Sequence, residues 1–129
     1  SATLNSNNGT FYLACPVSAA PNVEYRSKGT VAAAFTDSPF VAPVTLVVTG
    51  ASDIAADQLI IRNNGVQKSS SGDQGTGNYG NYPVYHYMRA GTSIPFNGHD
   101  YGSICRGFAS NDGQISSGES WINTRTKAY

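Results

Sequence analysis

Charge is scarce in this sequence: eight Lys and Arg stand against eight Asp and Glu, together 12% of 129 residues, and the formal net charge is zero. The basic residues are scattered singly, so no stripe exists to neutralise a run of phosphates or to hold an anionic membrane, and nucleic acid is not an expected partner. Long hydrophobic runs are missing as well. A run such as Val31 to Phe35, among the longest, falls far short of the ~20 residues that span a bilayer, so membrane insertion is not expected. No basic-then-apolar leader precedes it, and the chain reads as a mature soluble one whose Ser1 fits either signal cleavage or removal of an initiator Met.

Histidine and cysteine occur only twice each. A Ser or Cys nucleophile needs a base that a third group orients. His86 and His99 are the only imidazoles, and there is no Gly-x-Ser-x-Gly elbow. His86 lies in an aromatic stretch and reads as a packing residue, whereas His99 shares a turn with Asp100. Glu24, Glu119 and the aspartates have no glycosidase context. Asp37, Asp53, Asp73 and Asp112 adjoin Gly, Ser or Asn, where a carboxylate bonds the local backbone of a turn. The chain has no His-x-His pair, Cys-x-x-Cys motif or EF-hand series, and Asp73, Asp100 and Asp112 meet around Ca²⁺ only by tertiary accident. Gly72, Gly75, Gly77 and Gly80 lack the Lys-Ser/Thr and the helix of a phosphate cradle. No enzyme, metal or cofactor is expected.

Cys15 and Cys105 are too distant in sequence for a short metal motif, and they read most naturally as one disulfide. Closing so long a loop contributes roughly 4 to 5 kcal/mol on the chain-entropy model. Two buried free thiols acting as small apolar residues are the alternative.

What is present is 40% apolar and 11% aromatic residues, enough for a single domain over residues 1–129 that buries roughly two-thirds of its unfolded surface. Phe11 to Val17 alternates with the period of a half-buried strand. Val23 to Phe35 is extended with a break near Gly29, and Val44 to Thr49 is the clearest strand. Ala51 to Gln58 has room for one helical turn. Gln58–Arg62 and Val66–Lys68 flank Asn63-Asn64-Gly65, a tight-hairpin signal, and Asn111-Asp112-Gly113 predicts a second hairpin. Tyr82–Arg89, Gly102–Phe108 and Glu119–Thr126 supply further strands. The pattern predicts an all-β, single-domain antiparallel β-sandwich of about seven strands, with a small closed β-barrel as the alternative. Residues 69–81, rich in Ser, Gly, Asn and Gln, predict a long exposed loop, and residues 1–8 and 124–129 predict extended arms.

One constellation stands out. Five of the eight tyrosines fall in one region: Tyr79, Tyr82, Tyr85, Tyr87 and Tyr101. With Asn78, Asn81, Asn97, His99 and Asp100 they form a candidate ligand or interface surface, because Tyr joins a flat apolar face to a hydroxyl handle. Asn8-Gly9-Thr10 fits the N-glycosylation sequon. The first expectation is a non-catalytic structural or assembly subunit of a virion surface, coat or extracellular filament, partnered by copies of itself or a particle scaffold protein. The alternative is a secreted, lectin-like carbohydrate-binding module using residues 78–101. Both place the chain outside the cell or at a virion or particle surface.

Overall fold

A computed structural model describes residues 7–16, 20–88 and 96–129, apart from the side chain of Ser70. It contains six strands and one helix in chain order: β1 (Thr10–Ala14), β2 (Glu24–Lys28), β3 (Ala32–Thr36), β4 (Val48–Asp53), β5 (Gln58–Asn63), β6 (Val66–Ser71) and α1 (Asp112–Thr126). The strands form two antiparallel sheets, β1-β2-β3 and β4-β5-β6, each a meander of consecutive strands. The protein is mostly β, with no closed barrel among the described residues.

Local chemistry accounts for the joints. Asn64 and Gly65, at φ 50° and 76°, make the tight β5–β6 turn, because Asn and Gly tolerate the left-handed backbone that such turns require. Asn64 also binds the chain that enters β4: its Oδ1 accepts from Val47 N at 2.9 Å, and its N–H donates to Val47 O at 2.8 Å. The β4–β5 turn is held by Asp53, whose carboxylate accepts from Ala55 N and Ala56 N at 3.0 and 3.3 Å. The expected helical turn across Ala51–Gln58 is therefore a strand end followed by a reverse turn.

The core lies between the sheets. Val23, Tyr25 and Ala33 from the first sheet region meet Leu59 and Ile61 from β5, with Cys15, Phe35, Phe40, Leu46 and Val48 packed around them. Alternation explains the choice: Tyr25 is paired with Leu13 on one side and Phe35 on the other, so all three share a face of the sheet.

Residues 112–126 correct the sequence reading most. The expected second hairpin is a helix N-terminus, in which Asn111 caps Gln114 N at 2.9 Å and the Gln114 side chain returns a bond to Asn111 N at 3.1 Å. Such a capping box contributes about 1 kcal/mol. Asp112 in the first turn and Arg125 in the last both suit the helix dipole. The expected strand Glu119–Thr126 lies within α1, and the expected arm at 124–129 finishes the helix and folds back. Asn123 exchanges two hydrogen bonds with the backbone of Tyr129, at 2.6 and 3.2 Å.

Other expected strands are absent. Residues 82–88 and 102–108 are irregular and exposed, since they have no neighbouring strand to pair with among the described residues. Val44–Val47 precedes β4 rather than belonging to it. Residues 1–6 of the expected N-terminal arm, Val17 of the first expected strand and Arg89 lie outside the described residues. Asn8 of the sequon is exposed.

The predicted loop at 69–81 is also revised. Ser69–Ser71 complete β6, and Gln74 is fully buried. Its Nε2 donates to Asp53 O and Gln58 O at 3.1 and 2.9 Å, and its backbone N–H to Asp57 Oδ1 at 2.9 Å. Gln74 O accepts from both Gly29 N and Val31 N at 3.1 Å, so one residue fastens the β2–β3 joint to the β4–β5 joint. The two cysteines are free thiols rather than a disulfide. Cys15 is half-buried beside the core, while Cys105 is exposed in the irregular 102–108 stretch, not in the half-buried strand that the pairing assumed.

Candidate functional site

The structure divides the tyrosine-rich region into two places with different environments. The first is a clasp between the sheets. The Tyr79 hydroxyl reaches Ser27 Oγ of β2 at 2.6 Å and bonds Ser52 Oγ of β4, which in turn lies 2.6 Å from the Tyr25 hydroxyl. Tyr25 and Ser27 are alternate residues of β2 on one face, so a single strand presents both ends of this four-hydroxyl chain. Phe11 of β1 packs edge-on against the Tyr79 ring, with centroids 5.7 Å apart. At about 1 kcal/mol per hydrogen bond, the two made by Tyr79 contribute on the order of 2 kcal/mol. Burial pushes the Tyr25 hydroxyl well above the usual tyrosine range, with smaller contributions from Tyr79 and Cys105, so it stays protonated as a hydrogen-bonding group.

The segment that carries Tyr79 is fixed by the backbone. Gly80 N donates to Gly9 O at 2.9 Å, and a Cβ on Gly9 would sit 2.4 Å from Gly80 N and 2.5 Å from Asn78 O. Only glycine fits there. Beside the clasp is an open cavity of about 180 Å³ lined by Ser52, Asp53, Ile54, Ala55, Asn78, Tyr79 and Ala109.

The second place is a cleft of about 260 Å³ lined by Tyr87, Phe96, Gly98 and Asp100. The Tyr87 hydroxyl bonds Asp100 Oδ2, and Gly102 N donates to Asp100 Oδ1 at 2.7 Å, so both carboxylate oxygens are oriented. As the donor to a carboxylate, Tyr87 has its pKa raised. The Tyr87 and Phe96 rings lie 6.2 Å apart and are tilted by 39°. Tyr87 is held at φ 66°, a left-handed conformation that is costly for an aromatic residue. Phe96 N donates to Tyr87 O at 2.7 Å and fixes the two residues together.

Of the residues singled out from sequence, Asn78 and Tyr79 belong to the first place, and Tyr87 and Asp100 to the second. His99 and Tyr101 face one another at 6.4 Å between ring centroids but line neither cavity. Asn81, Tyr82, Tyr85 and Asn97 are exposed and also line neither. Tyr82 packs over Gly80. Sequence reasoning missed Ser27 and Ser52, whose role exists only once two sheets face each other. It also missed Phe96, an aromatic immediately before an Asn-Gly turn.

Neither place has the constellation of nucleophile, base and orienting group. Among the described residues no group of three or more His, Cys, Asp or Glu is arranged to hold a metal ion, and no helix is long and apolar enough to cross a membrane.

The chain matches no known protein family, curated protein or solved structure.

Proposed function

We propose that this chain is a non-catalytic structural subunit that assembles with copies of itself, or with a particle scaffold protein, through its irregular, exposed segments 82–88 and 102–108. The observation that carries this reading is the apolar surface there: Val84, Met88, Ile104 and Phe108 are exposed, Phe108 at 63%, together with Tyr101 at 62%. A single exposed apolar side chain is ordinary, but a concentration in one stretch marks an interaction surface. The backbone supports the same reading. Segments 82–88 and 102–108 carry neither strand nor helix, and exposed irregular segments held on a β scaffold are where binding residues concentrate, with strand addition one mode open to them.

The finer architecture proposed with this role is a β-sandwich, in which the two meanders bury one face each and leave four edge strands. The setting proposed is an extracellular, virion or particle surface, supported by the neutral, low-charge composition. Native mass spectrometry and light scattering across a concentration series test the assembly. Wild-type protein is expected to form defined oligomers, and Ile104→Asp with Phe108→Asp to remain monomeric while keeping the wild-type far-UV spectrum. A wild-type chain that stays monomeric throughout the series defeats the proposal, as does a double variant that assembles normally.

A further inference from the structure

We infer that the Tyr87–Phe96–Asp100 cleft is a binding site for a single pyranose ring. The site lies in the same region as the proposed assembly surface but uses other side chains: none of Tyr87, Phe96 and Asp100 is among Val84, Met88, Tyr101, Ile104 and Phe108. A pyranose has an apolar C–H face and a rim of hydroxyl donors, so its receptor needs one open aromatic face and a fixed acceptor at that face's edge. The cleft has both. Phe96 is 41% exposed and lines the cleft, and the tip of its ring is fixed over the Gly98 backbone, where an added Cβ would come within 2.7 Å of it, so the ring borders the cleft with part of its surface open to a ligand. Asp100 stands at the cleft's edge with each oxygen already steered by a donor, Tyr87 on one and Gly102 N–H on the other, and each retains acceptor capacity for a sugar hydroxyl.

Size and shape narrow the ligand class. About 260 Å³ is just below the roughly 300–1,000 Å³ of drug-sized pockets, which suits one ring rather than an extended chain. Cationic ligands such as quaternary ammonium groups are held in cages with aromatic faces on several sides. Here two tilted rings border an open cleft. The left-handed Tyr87 fits a binding role, because strained backbone persists where surrounding contacts hold a functional side chain in place.

The test uses the full chain at low concentration, with light scattering confirming the monomer, titrated with methyl glucoside, galactoside and mannoside. Binding is read by saturation-transfer NMR and by amide shifts. At least one pyranoside is expected to bind with millimolar affinity and to shift the amides of Tyr87, Phe96 and residues 98–102. Asp100→Asn is expected to weaken binding about tenfold, the value of one charge-assisted hydrogen bond. Phe96→Leu, which keeps apolar bulk but removes the flat face, is expected to abolish the saturation transfer while preserving the amide spectrum elsewhere. The site assignment is overturned if no pyranoside binds, if the shifts centre on Tyr79 and Asp53, if tetramethylammonium binds in place of the sugars, or if both variants bind as the wild type does. Failure to assemble has no bearing on these readouts.

Discussion

Glu119→Ala isolates what holds the C-terminal helix to the sheet. Only Ile115 and Glu119 of α1 are buried, and the Glu119 carboxyl group, at 3% exposure, is paired with Arg62 Nε at 3.0 Å and accepts from Thr49 Oγ1 at 2.8 Å. Truncation strands the Arg62 guanidinium, which is itself only 12% exposed. Breaking a buried pair by removing one partner costs about 3–5 kcal/mol. The bond from Arg62 Nη2 to Gly65 O at 2.9 Å survives and places the loss near the lower end. A loss of about 3 kcal/mol equals or exceeds the roughly 1.5–3 kcal/mol from burying Ile115, so the helix should leave the sheet before the sheets unfold. The single tryptophan, Trp121, lies on α1 and reports its release. Urea denaturation of the wild type should give one transition by both Trp fluorescence and far-UV dichroism. In Glu119→Ala the fluorescence midpoint should fall by about 1–3 M, given urea slopes of about 1–3 kcal/mol/M, while the sheet signal lags behind it. Arg62→Met/Glu119→Leu, which removes both charges, should recover most of the loss. Coincident, unshifted transitions in Glu119→Ala, or a double variant weaker than the single one, would refute the reasoning.

Two further outcomes are expected. Gly65→Ala should destabilise the fold by about 1 kcal/mol or more, because φ 76° is strained for any side chain, while Gly113→Ala, in the first turn of α1, should be neutral or stabilise by up to about 1 kcal/mol; denaturation midpoints check both, and equal losses would contradict the helix. Without reductant, exposed Cys105 should react with iodoacetamide at pH 8 well ahead of Cys15, whose thiol is pushed up by burial and so holds less thiolate; a mass lower by two hydrogens and no reaction would instead show a disulfide.

Strands β1 to β6 were largely legible, because their determinants are local. Asn64-Gly65 names its own turn, and alternation identifies the paired strands of the first sheet. The C-terminal helix was hidden by its own docking chemistry. Its inward positions run Ile115, Glu119 and Ile122, so a charged residue occupies the place where helical periodicity is recognised, and the partner that makes it tolerable, Arg62, is 57 residues away in sequence. Asn-Asp-Gly serves a hairpin and a helix cap alike, and the Gln114 that decides between them acts through a capping box. Tyr85 and Tyr87 alternate as in a strand, but without a neighbour to pair with among the described residues they form none. At the candidate site, tyrosine density singled out residues 79–101, whereas the separation into an inter-sheet clasp and an open cleft depends on contacts from Ser27, Ser52 and Phe96.

Because each sheet closes within one uninterrupted stretch of sequence, residues 10–36 and 48–71, the molecule is divisible at one place. The connector between them runs exposed from Val41 to Val44, Val41 at 87%. Cleavage there leaves each half with a whole meander. The bonds from Gly9, Gly29 and Val31 to Gly80 and Gln74, and the Ser27 and Tyr25 hydroxyl contacts, then become contacts between two pieces. The halves carry matching apolar faces and complementary hydrogen-bonding groups, which is the requirement for spontaneous reassociation, and the same exposed connector is where a foreign peptide can be displayed without entering either sheet.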